Sequence, residues 1–448
     1  MKIVSTSECD RTKLVDGIKR RLNTFEGSFA QDAGSDPELM SRVFGKELSP
    51  VDSVRRIVAD VKEKGDQAVV SYGSAFDGVS IEADKLRVSD EEIKEAYTRV
   101  DKALLGAIKR AIDNITLFQR HIKVDTPDKS STDGVSLELV YRPIENVGIY
   151  VPGGKASYPS TVLMCAVPAR VAGVDRVIMC TPPGKDGKVS PERLVAAGEA
   201  GVKEIYKIGG VQAIAAMAFG TGTVPRVDKI VGPGNVFVTM AKKEVYGYVD
   251  IDLLAGPSEV VVLADEKAGA ALIASDLLSQ AEHPGAAILV TPSRRLAEDV
   301  QVQINKQLTE LSSKEIAERS LESLGIMVVT GDMDEAVEIA DGIAPEHVAL
   351  HLEDPEAMLP RLRHAGTIFV GSFSPVAVGD YIAGPSHVLP TGGTARFFSG
   401  LGVNDFMRRS SVISYSKEAL IEAAPDVITM AETEGLPAHA QSVRMRLK

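Results

Sequence analysis

Apolar residues recur at helical spacing through the first third of the chain. One such pattern runs from about residue 50 to 65, with a proline in its first turn, and it predicts a helix. A longer pattern over 90–121 predicts another helix, and a short apolar run at 137–141 predicts a strand. Residues 1–45 carry mixed helical signals, so we expect a small helical segment at the N-terminus.

From Asn146 onward, short apolar runs alternate with helical segments, which is typical of βαβ units and parallel sheets. We therefore expect an α/β fold with two doubly wound, Rossmann-like sheets and small helical elements at the N- and C-termini. The predicted strands are 147–151, 176–180, 204–208, 229–231, 259–263, 287–290, 326–329, 347–352 and 367–370. The predicted helices are 161–171, 191–200, 213–219, 236–245, 271–283, 295–311, 334–343 and 355–364.

The chain has 448 residues, which is too long for a single hydrophobic core. No residue-level repeat relates the two alternating runs. The segment 374–402 is rich in Gly, Pro, Ser and Thr, and a connection of that length usually carries function. The domains predicted from these patterns are an N-terminal segment (1–45), a first α/β domain (46–149 with 258–401), a second α/β domain (150–257) and a C-terminal segment with a tail (402–448).

Composition limits the classes of partner. The fractions of hydrophobic (44%) and charged (25%) residues are ordinary for a globular protein, and no apolar stretch is long enough to span a membrane. The net charge of -12 argues against nucleic acid, which requires a basic face. The N-terminal residues contain no apolar signal core, and the three cysteines have no metal-type spacing. We expect a reduced, cytoplasmic protein.

The end of the predicted helix 271–283 offers two metal ligands. Gln280 and His283 stand three residues apart, so both project from one face of the last turn. An amide oxygen and a neutral imidazole can bind a metal, and the negative end of the helix favours a cation. Alternatively, His283 bonds the last carbonyls of its own helix. This stretch alone does not decide between them.

Four of the seven histidines lie in unusual settings, and the other three (His121, His351 and His364) lie in helix or strand patterns that indicate structural roles. Glu346 and His347 stand where a predicted helix gives way to a strand. Together they can supply two different bases to one pocket, although an exposed loop pair is the alternative. The remaining two unusual histidines are His387 and His439.

The long loop contains a further pair, Asp380 and His387, on either side of the turn 383–386. Such a turn can bring a carboxylate and an imidazole together. A loop aspartate is, however, more often a residue that forms the turn itself.

Two glycine-rich stretches, 152–155 and 232–235, each follow a predicted strand and precede a helix. Backbone amides at that position favour an anion such as a phosphate. Neither stretch has the three spaced glycines of the dinucleotide fingerprint or the pattern of a P-loop, so they allow a nucleotide without naming one. Cys165 and Cys180 are candidates for an aldehyde-oxidising thiol, but their apolar surroundings favour burial as small hydrophobic residues.

Seven stretches, taken together and in order, resemble the histidinol dehydrogenase family. They cover nearly the whole chain from about residue 50. They are Gly148–Gly154, Gly232–Asn235, Ala255–Glu259, Ser279–His283, Ala344–His347, Gly379–Thr391 and Glu434–His439.

The resemblance implies a zinc- and NAD-dependent oxidoreductase with an aldehyde-dehydrogenase-like architecture. It would catalyse the four-electron oxidation of L-histidinol to L-histidine through enzyme-held L-histidinal, the final step of histidine biosynthesis. It implies one zinc ion per site, bound by Gln280, His283, Asp380 and His439. His439 would come from the partner subunit of a homodimer, although the sequence leaves open whether it acts in cis or in trans.

The resemblance also assigns the other site residues. The positions Tyr150, Gln212 and Asn235 match NAD contacts in the second α/β domain, and most zinc and catalytic residues fall in the first. Glu346 and His347 match the catalytic pair. Substrate contacts would be made by Ser258, Gln280, His283, His347, Asp380, His387, Glu434 and His439.

Those residue types suit the implied chemistry. Histidine titrates near neutrality, so His347 can take the hydroxyl proton, and Glu346 can activate the water that attacks the aldehyde. Zinc has no redox chemistry and would act as a template for the substrate.

Two departures from the family pattern lie in loops beside the implied metal: Ser386 stands where Asn is common, and the connection 284–286 is short. Relatives on this scaffold that oxidise sulfonated diols are one alternative. A non-catalytic, two-lobed binding protein is another.

Overall fold

A computed structural model of the chain describes residues 1–23, 37–46, 48–154, 157–283 and 285–448. Lys155, Ala156 and Pro284, which border the predicted phosphate and metal loops, lie outside these described residues, as does part of the predicted N-terminal helical segment. The strands are β1 (Lys2–Ser5), β2 (Ser130–Thr132), β3 (Val135–Pro143), β4 (Asn146–Tyr150), β5 (Arg176–Thr181), β6 (Glu204–Lys207), β7 (Lys229–Val231), β8 (Asp250–Ile251), β9 (Glu259–Ala264), β10 (Ala286–Thr291), β11 (Ile326–Val329), β12 (His347–His351), β13 (Thr367–Val370) and β14 (Met407–Tyr415).

The helices connect these strands and cover both faces of the sheets. They are Arg11–Leu22, Pro37–Phe44, Pro50–Lys64, Asp66–Asp77, Asp90–Arg99, Lys102–Ile122, Pro159–Ala172, Pro191–Ala200, Gly210–Phe219, Val236–Val245, Ala270–Ala281, Arg294–Leu308, Lys314–Ser323, Met333–Ile343, Val376–Tyr381, Lys417–Thr433 and Pro437–Arg446. No helix in the described part of the chain is long and apolar enough to cross a membrane.

Two parallel sheets form the body of the protein, which confirms the predicted α/β class. The six-stranded sheet has the order β1-β11-β10-β9-β12-β13, and the five-stranded sheet has the order β6-β5-β4-β7-β8. Every residue of β9 and β10 is buried, as expected for central strands that helices cover on both faces.

The sheets divide the chain differently from the predicted domains. Strand β1 pairs with β11, so the N-terminal segment is not only helical. Strand β4 lies in the five-stranded sheet, and the helix Pro50–Lys64 packs against Gly210–Phe219 beside it. The reason is the apolar face of that helix, which is buried in the core of the five-stranded sheet. Most apolar residues of 46–149 therefore pack with 150–257 rather than with 258–401. Asn114 and Gln119 nevertheless donate hydrogen bonds to backbone carbonyls of the 374–402 loop.

Three predicted elements differ in detail. The helical pattern at 90–121 is two helices, because Asp101 caps the second by accepting a hydrogen bond from the backbone N–H of Leu104 (2.7 Å). The segment at 355–364 forms a 3₁₀ helix, Glu356–Arg361, which contains a proline. The helix predicted to reach residue 311 ends at Leu308, and Lys314–Ser323 follows as a separate helix.

The C-terminal segment begins with an unpredicted strand, β14, which pairs with β3 in a three-stranded antiparallel sheet. Most of its side chains are exposed, so it lacks the apolar–polar alternation of a half-buried strand. The helices Lys417–Thr433 and Pro437–Arg446 follow it and pack against each other. We call these two helices the tail.

Candidate active site

Glu346 and His347 lie at the amino edge of the six-stranded sheet. His347 is the first residue of β12, where it stands beside Val260 of β9 and Thr367 of β13. The preceding helix, Met333–Ile343, ends at Ala344, whose left-handed backbone (φ 55°) turns the chain into the strand. Glu346 is 6% exposed and His347 is 4% exposed, so the alternative of an exposed loop pair is wrong.

Two hydrogen bonds hold the Glu346 carboxyl group. Its Oε2 atom accepts one from the Ser258 hydroxyl (2.5 Å) and one from the backbone N–H of Glu259 (3.0 Å). Burial raises the pKa of Glu346 to about 7, although both hydrogen bonds oppose this rise by stabilising the carboxylate. Glu346 can therefore exchange a proton near neutral pH, as a general base requires.

The His347 imidazole is free to react. Neither ring nitrogen has a hydrogen-bond partner among the described residues, and Nδ1 lies 3.7 Å from Glu346 Oε2, beyond hydrogen-bonding distance. Burial lowers the pKa of His347, while the charge of Asp380 opposes that effect. A neutral imidazole with an available nitrogen can accept a proton.

Three of the four predicted metal ligands lie around this pair. Gln280, in the last turn of Ala270–Ala281, is buried, and its Nε2 donates to the Ser258 hydroxyl (2.8 Å). Its amide oxygen has no hydrogen-bond partner in the described part of the chain. His283, just beyond the helix, is exposed. Burial raises the pKa of Asp380. The nearby charges of His347 and His283 lower this pKa, and the charge of Glu346 raises it further.

Within the described ranges, no three His, Cys, Asp or Glu side chains come close enough together to hold a metal. The local donors are an amide oxygen, an imidazole and a carboxylate. A neutral amide makes a poor ligand for a closed structural zinc site, and an incomplete N/O set suits an open one. These residues therefore fit a zinc ion that receives its remaining ligands from elsewhere.

A cavity of about 340 Å³ opens beside His347, and Asp380 and His387 also line it. His387 Nδ1 donates to the backbone carbonyl of Asp380 (3.1 Å), so its Nε2 accepts from the Thr161 hydroxyl (3.3 Å). Burial lowers the pKa of His387 to about 4. The neutral ring thus ties the 374–402 loop to the helix Pro159–Ala172.

The three predicted NAD contacts, Tyr150, Gln212 and Asn235, line a second cavity of about 730 Å³. It lies at the carboxyl edge of the five-stranded sheet, where nucleotides bind in doubly wound folds. The Tyr150 hydroxyl accepts from the backbone N–H of Gly210 (3.1 Å). Gln212 is 1% exposed, and its side-chain nitrogen has no partner among the residues described. Asn235 caps the helix Val236–Val245.

A glycine at position 232 is required in the loop before Asn235. Its φ of +111° is in the left-handed region, and a Cβ there would collide with the carbonyl oxygen of Tyr150. This close approach holds the loop that leads to Asn235 against the end of β4. The first glycine-rich stretch contributes Gly153 and Gly154 to the lining of the cavity.

The last two predicted site residues, Glu434 and His439, lie in the tail. Both are exposed, and neither lines the cavity that holds His347 and Asp380. The fold of one chain therefore does not bring the complete predicted set together.

The residues assigned to structural roles behave as such. His351 pairs with Asp276 and His364 pairs with Asp341, each at 2.8 Å. Cys165 and Cys180 are fully buried, and burial raises the pKa of both thiols. They therefore do not supply the thiolate that a cysteine mechanism needs.

The sequence analysis missed one buried carboxyl group at this site, Glu259, which begins the otherwise apolar strand β9. Its signal was the presence of a carboxyl group at the head of a continuous hydrophobic run, directly after Ser258.

Comparisons with known proteins point to one family. The family model for histidinol dehydrogenase matches residues 45–447. The histidinol dehydrogenase of Heliobacterium mobile is 52% identical over 399 residues, covering 88% of this chain and 93% of the relative. That of Bacillus subtilis (strain 168) is 52% identical over 396 residues, covering 88% and 92%. The crystal structure of histidinol dehydrogenase from Elizabethkingia anophelis superposes with a TM-score of 0.89 at 36% identity and covers 100% of this chain and 98% of that chain.

Proposed function

We propose that this chain, which belongs to the histidinol dehydrogenase family, oxidises L-histidinol to L-histidine in two NAD-dependent steps, with L-histidinal held on the enzyme between them. Family membership makes it an oxidoreductase of histidine biosynthesis. The observation that carries the finer proposal is the buried pair Glu346 and His347, which lies among the zinc donors.

Bound NAD would accept a hydride in each oxidation, and bound zinc would orient the substrate. His347 takes the hydroxyl proton of the alcohol on a ring nitrogen that has no other partner among the described residues. Glu346 takes a proton from the water that adds to the aldehyde. Its Oε2 is anchored by Ser258 and Glu259, which leaves Oε1 to face that water.

Gln280, His283 and Asp380 would hold the zinc, and the tail of a second chain would supply His439. The exposed position of His439 supports a homodimer. Large apolar side chains are exposed along the outer antiparallel sheet and the tail, as at protein interfaces. They are Leu137, Leu139, Val412, Ile413, Tyr415, Ile421, Met430, Leu436 and Met445.

The second cavity would bind NAD. Its supporting features are the unpartnered amide of Gln212, the glycine-lined walls and the start of the helix Val236–Val245. We also propose a cytoplasmic location, which is supported by three cysteines that form no disulfide.

The deciding experiment measures NADH produced per alcohol consumed, with L-histidinol and, separately, a sulfonated diol. The proposal requires two NADH per histidinol and no comparable turnover of the diol. Activity should disappear with a chelator and return with zinc. One NADH per alcohol, or activity indifferent to chelation, would contradict the four-electron and zinc assignments respectively.

A mixing experiment tests the contribution of the tail. Inactive His439→Ala and inactive Glu346→Gln chains, exchanged to form heterodimers, should regain activity because each heterodimer contains one site with both native residues. Demonstrated heterodimers that stay inactive would place His439 in the site of its own chain.

A further inference from the structure

Glu259 and Glu346 are joined by hydrogen bonds in both directions. The backbone N–H of Glu259 donates to Glu346 Oε2 (3.0 Å), and the backbone N–H of Glu346 donates to Glu259 Oε1 (3.2 Å). The same Oε1 accepts from the backbone N–H of Gly392 (2.8 Å). One carboxyl group, which is 0% exposed, therefore connects the start of β9, the residue before β12 and the end of the long loop.

We propose that Glu259 is a positioning residue, which holds Glu346 and His347 in the geometry needed for both oxidations. This inference rests on the proposed function. Glu259 does not touch the reacting atoms. It acts through the main chain and the carboxyl group of Glu346.

The backbone of Glu346 is fixed on both sides. The backbone N–H of Glu346 donates a hydrogen bond to the Glu259 carboxyl group. The backbone carbonyl oxygen of Glu346 accepts a hydrogen bond from the N–H of Thr367 (2.8 Å). With Oε2 also anchored, the unconstrained polar atom of Glu346 is Oε1, which makes no hydrogen bond within the described residues. A base held in this way needs little reorganisation when it meets its water.

A purely structural explanation of Glu259 is weak. The parallel ladder already pairs β12 with β9, placing His347 beside Val260. The need to fill a buried position does not explain a carboxyl group here, since the five residues that follow in β9 are apolar and burying a carboxyl group is costly. Moreover, Glu259 Oε2 has no partner in the described part of the chain. A buried polar group that is unfavourable for stability, as this carboxyl group is, occurs mainly at functional sites.

The electrostatics favour a division of roles between the two carboxyl groups. Burial, and next the charge of Glu346, raise the pKa of Glu259 well above its usual range. Glu259 thus serves as an uncharged acceptor, and Glu346 is the member of the pair that ionises. The uncharged amide of glutamine, which has the same shape, should therefore be able to take over the role of the Glu259 carboxyl group.

The test compares Glu259→Gln with Glu259→Met. Glutamine keeps the acceptor oxygen, so kcat should stay within about threefold of wild type. Methionine keeps the volume but removes the acceptor, so kcat from both histidinol and histidinal should fall by about 100-fold or more, the size of effect that a misplaced catalytic group produces. The KM for NAD and the zinc content should not change.

Glu335→Met is the matched control. Glu335 is also a buried carboxyl group that accepts a hydrogen bond from a main-chain N–H, that of Gly331 (2.6 Å). It lies in the first turn of Met333–Ile343, at the opposite end of that helix from the catalytic pair, and it forms an ion pair with Arg11. This variant should lose stability and keep kcat. If Glu259→Met does not fold, Glu259→Asp replaces it, because shortening the side chain withdraws the acceptor and should lower kcat where glutamine does not.

Two results would overturn the inference: a methionine (or aspartate) variant with near-normal kcat, or a glutamine variant as impaired as methionine although folded. Wild-type NADH yield, measured in parallel, tests the proposed function separately. If the wild type does not oxidise histidinol, the proposed function is refuted. The role of Glu259 is tested separately by the ratio of variant kcat to wild-type kcat.

Discussion

Replacing Ser258 with alanine should change the pH dependence of the second oxidation. The Ser258 hydroxyl donates to Glu346 Oε2 and thereby stabilises the carboxylate, which works against the effect of burial. Without this donor the protonated acid is favoured further, so the pKa of Glu346 rises above its value of about 7. In the proposed mechanism Glu346 acts as a base when ionised, so the acidic limb of the pH–rate profile should move to higher pH.

The magnitude follows from the strength of the lost bond. A hydrogen bond to a charged group contributes about 1.5–3 kcal/mol, which corresponds to a displacement of the limb by about one to two pH units. Since Glu346 is near half-ionised at pH 7, the rate there should fall by about 5- to 50-fold. Near pH 9.5 the variant should approach the wild-type rate.

The assay is NADH formation from saturating histidinal and NAD between pH 5.5 and 10. Ser293→Ala is a suitable control, because it removes the cap of Arg294–Leu308 at the opposite edge of the six-stranded sheet. Ser293→Ala should lower the free energy of unfolding without shifting the acidic limb of the pH–rate profile. A Ser258→Ala enzyme whose rate is reduced by the same factor at every pH would refute the assignment of Glu346 as the titrating base.

Three other variants test the surrounding structure. Lys242→Met leaves Asp252 uncompensated in a fully buried ion pair, so the free energy of unfolding, from denaturant titration, should fall by about 3–5 kcal/mol; a loss below about 1 would contradict this. Burial raises the pKa of Asp77 to about 6, so its ionisation costs stability as pH rises through that value. Asp77→Asn should therefore raise Tm at pH 8 but not at pH 4, and equal effects would disprove the reasoning. Gln212→Met removes an unpartnered donor from the proposed NAD cavity, so the KM for NAD should rise about tenfold with kcat retained, whereas an unchanged KM would exclude that contact.

Much of the fold was predictable because both parallel sheets are buried. The predicted bounds of β7, β11 and β13 and of the helix Pro191–Ala200 match the structure, since continuous apolar runs between turn residues leave little ambiguity. Strand β14 was missed because it buries neither face. The assignment of 46–149 to the wrong sheet has another cause: a local pattern shows that a helix has an apolar face but not which sheet covers that face.

The candidate site was predictable to a different degree in each part. Tyr150 ends β4, and Gln212 and Asn235 follow β6 and β7 of the same parallel sheet, so topology brings all three to one edge. Glu259 carries no motif of its own, and its role depends on hydrogen bonds to residues about 90 and 130 positions away. The engagement of both ring nitrogens of His387 likewise depends on contacts that spacing does not reveal.

One cavity lies at the amino edge of its sheet and the other at the carboxyl edge of its sheet, and this difference has an electrostatic consequence. At the amino edge of the six-stranded sheet the helices Ala270–Ala281 and Met333–Ile343 terminate, so their partial negative charge faces Gln280 and Glu346. At the carboxyl edge of the other sheet the helices Gly210–Phe219 and Val236–Val245 originate, with partial positive charge. Backbone polarity alone thus favours a divalent cation at the first edge and a pyrophosphate at the second, so the proposed zinc and NAD would each be favoured at a different edge before any side chain contributes.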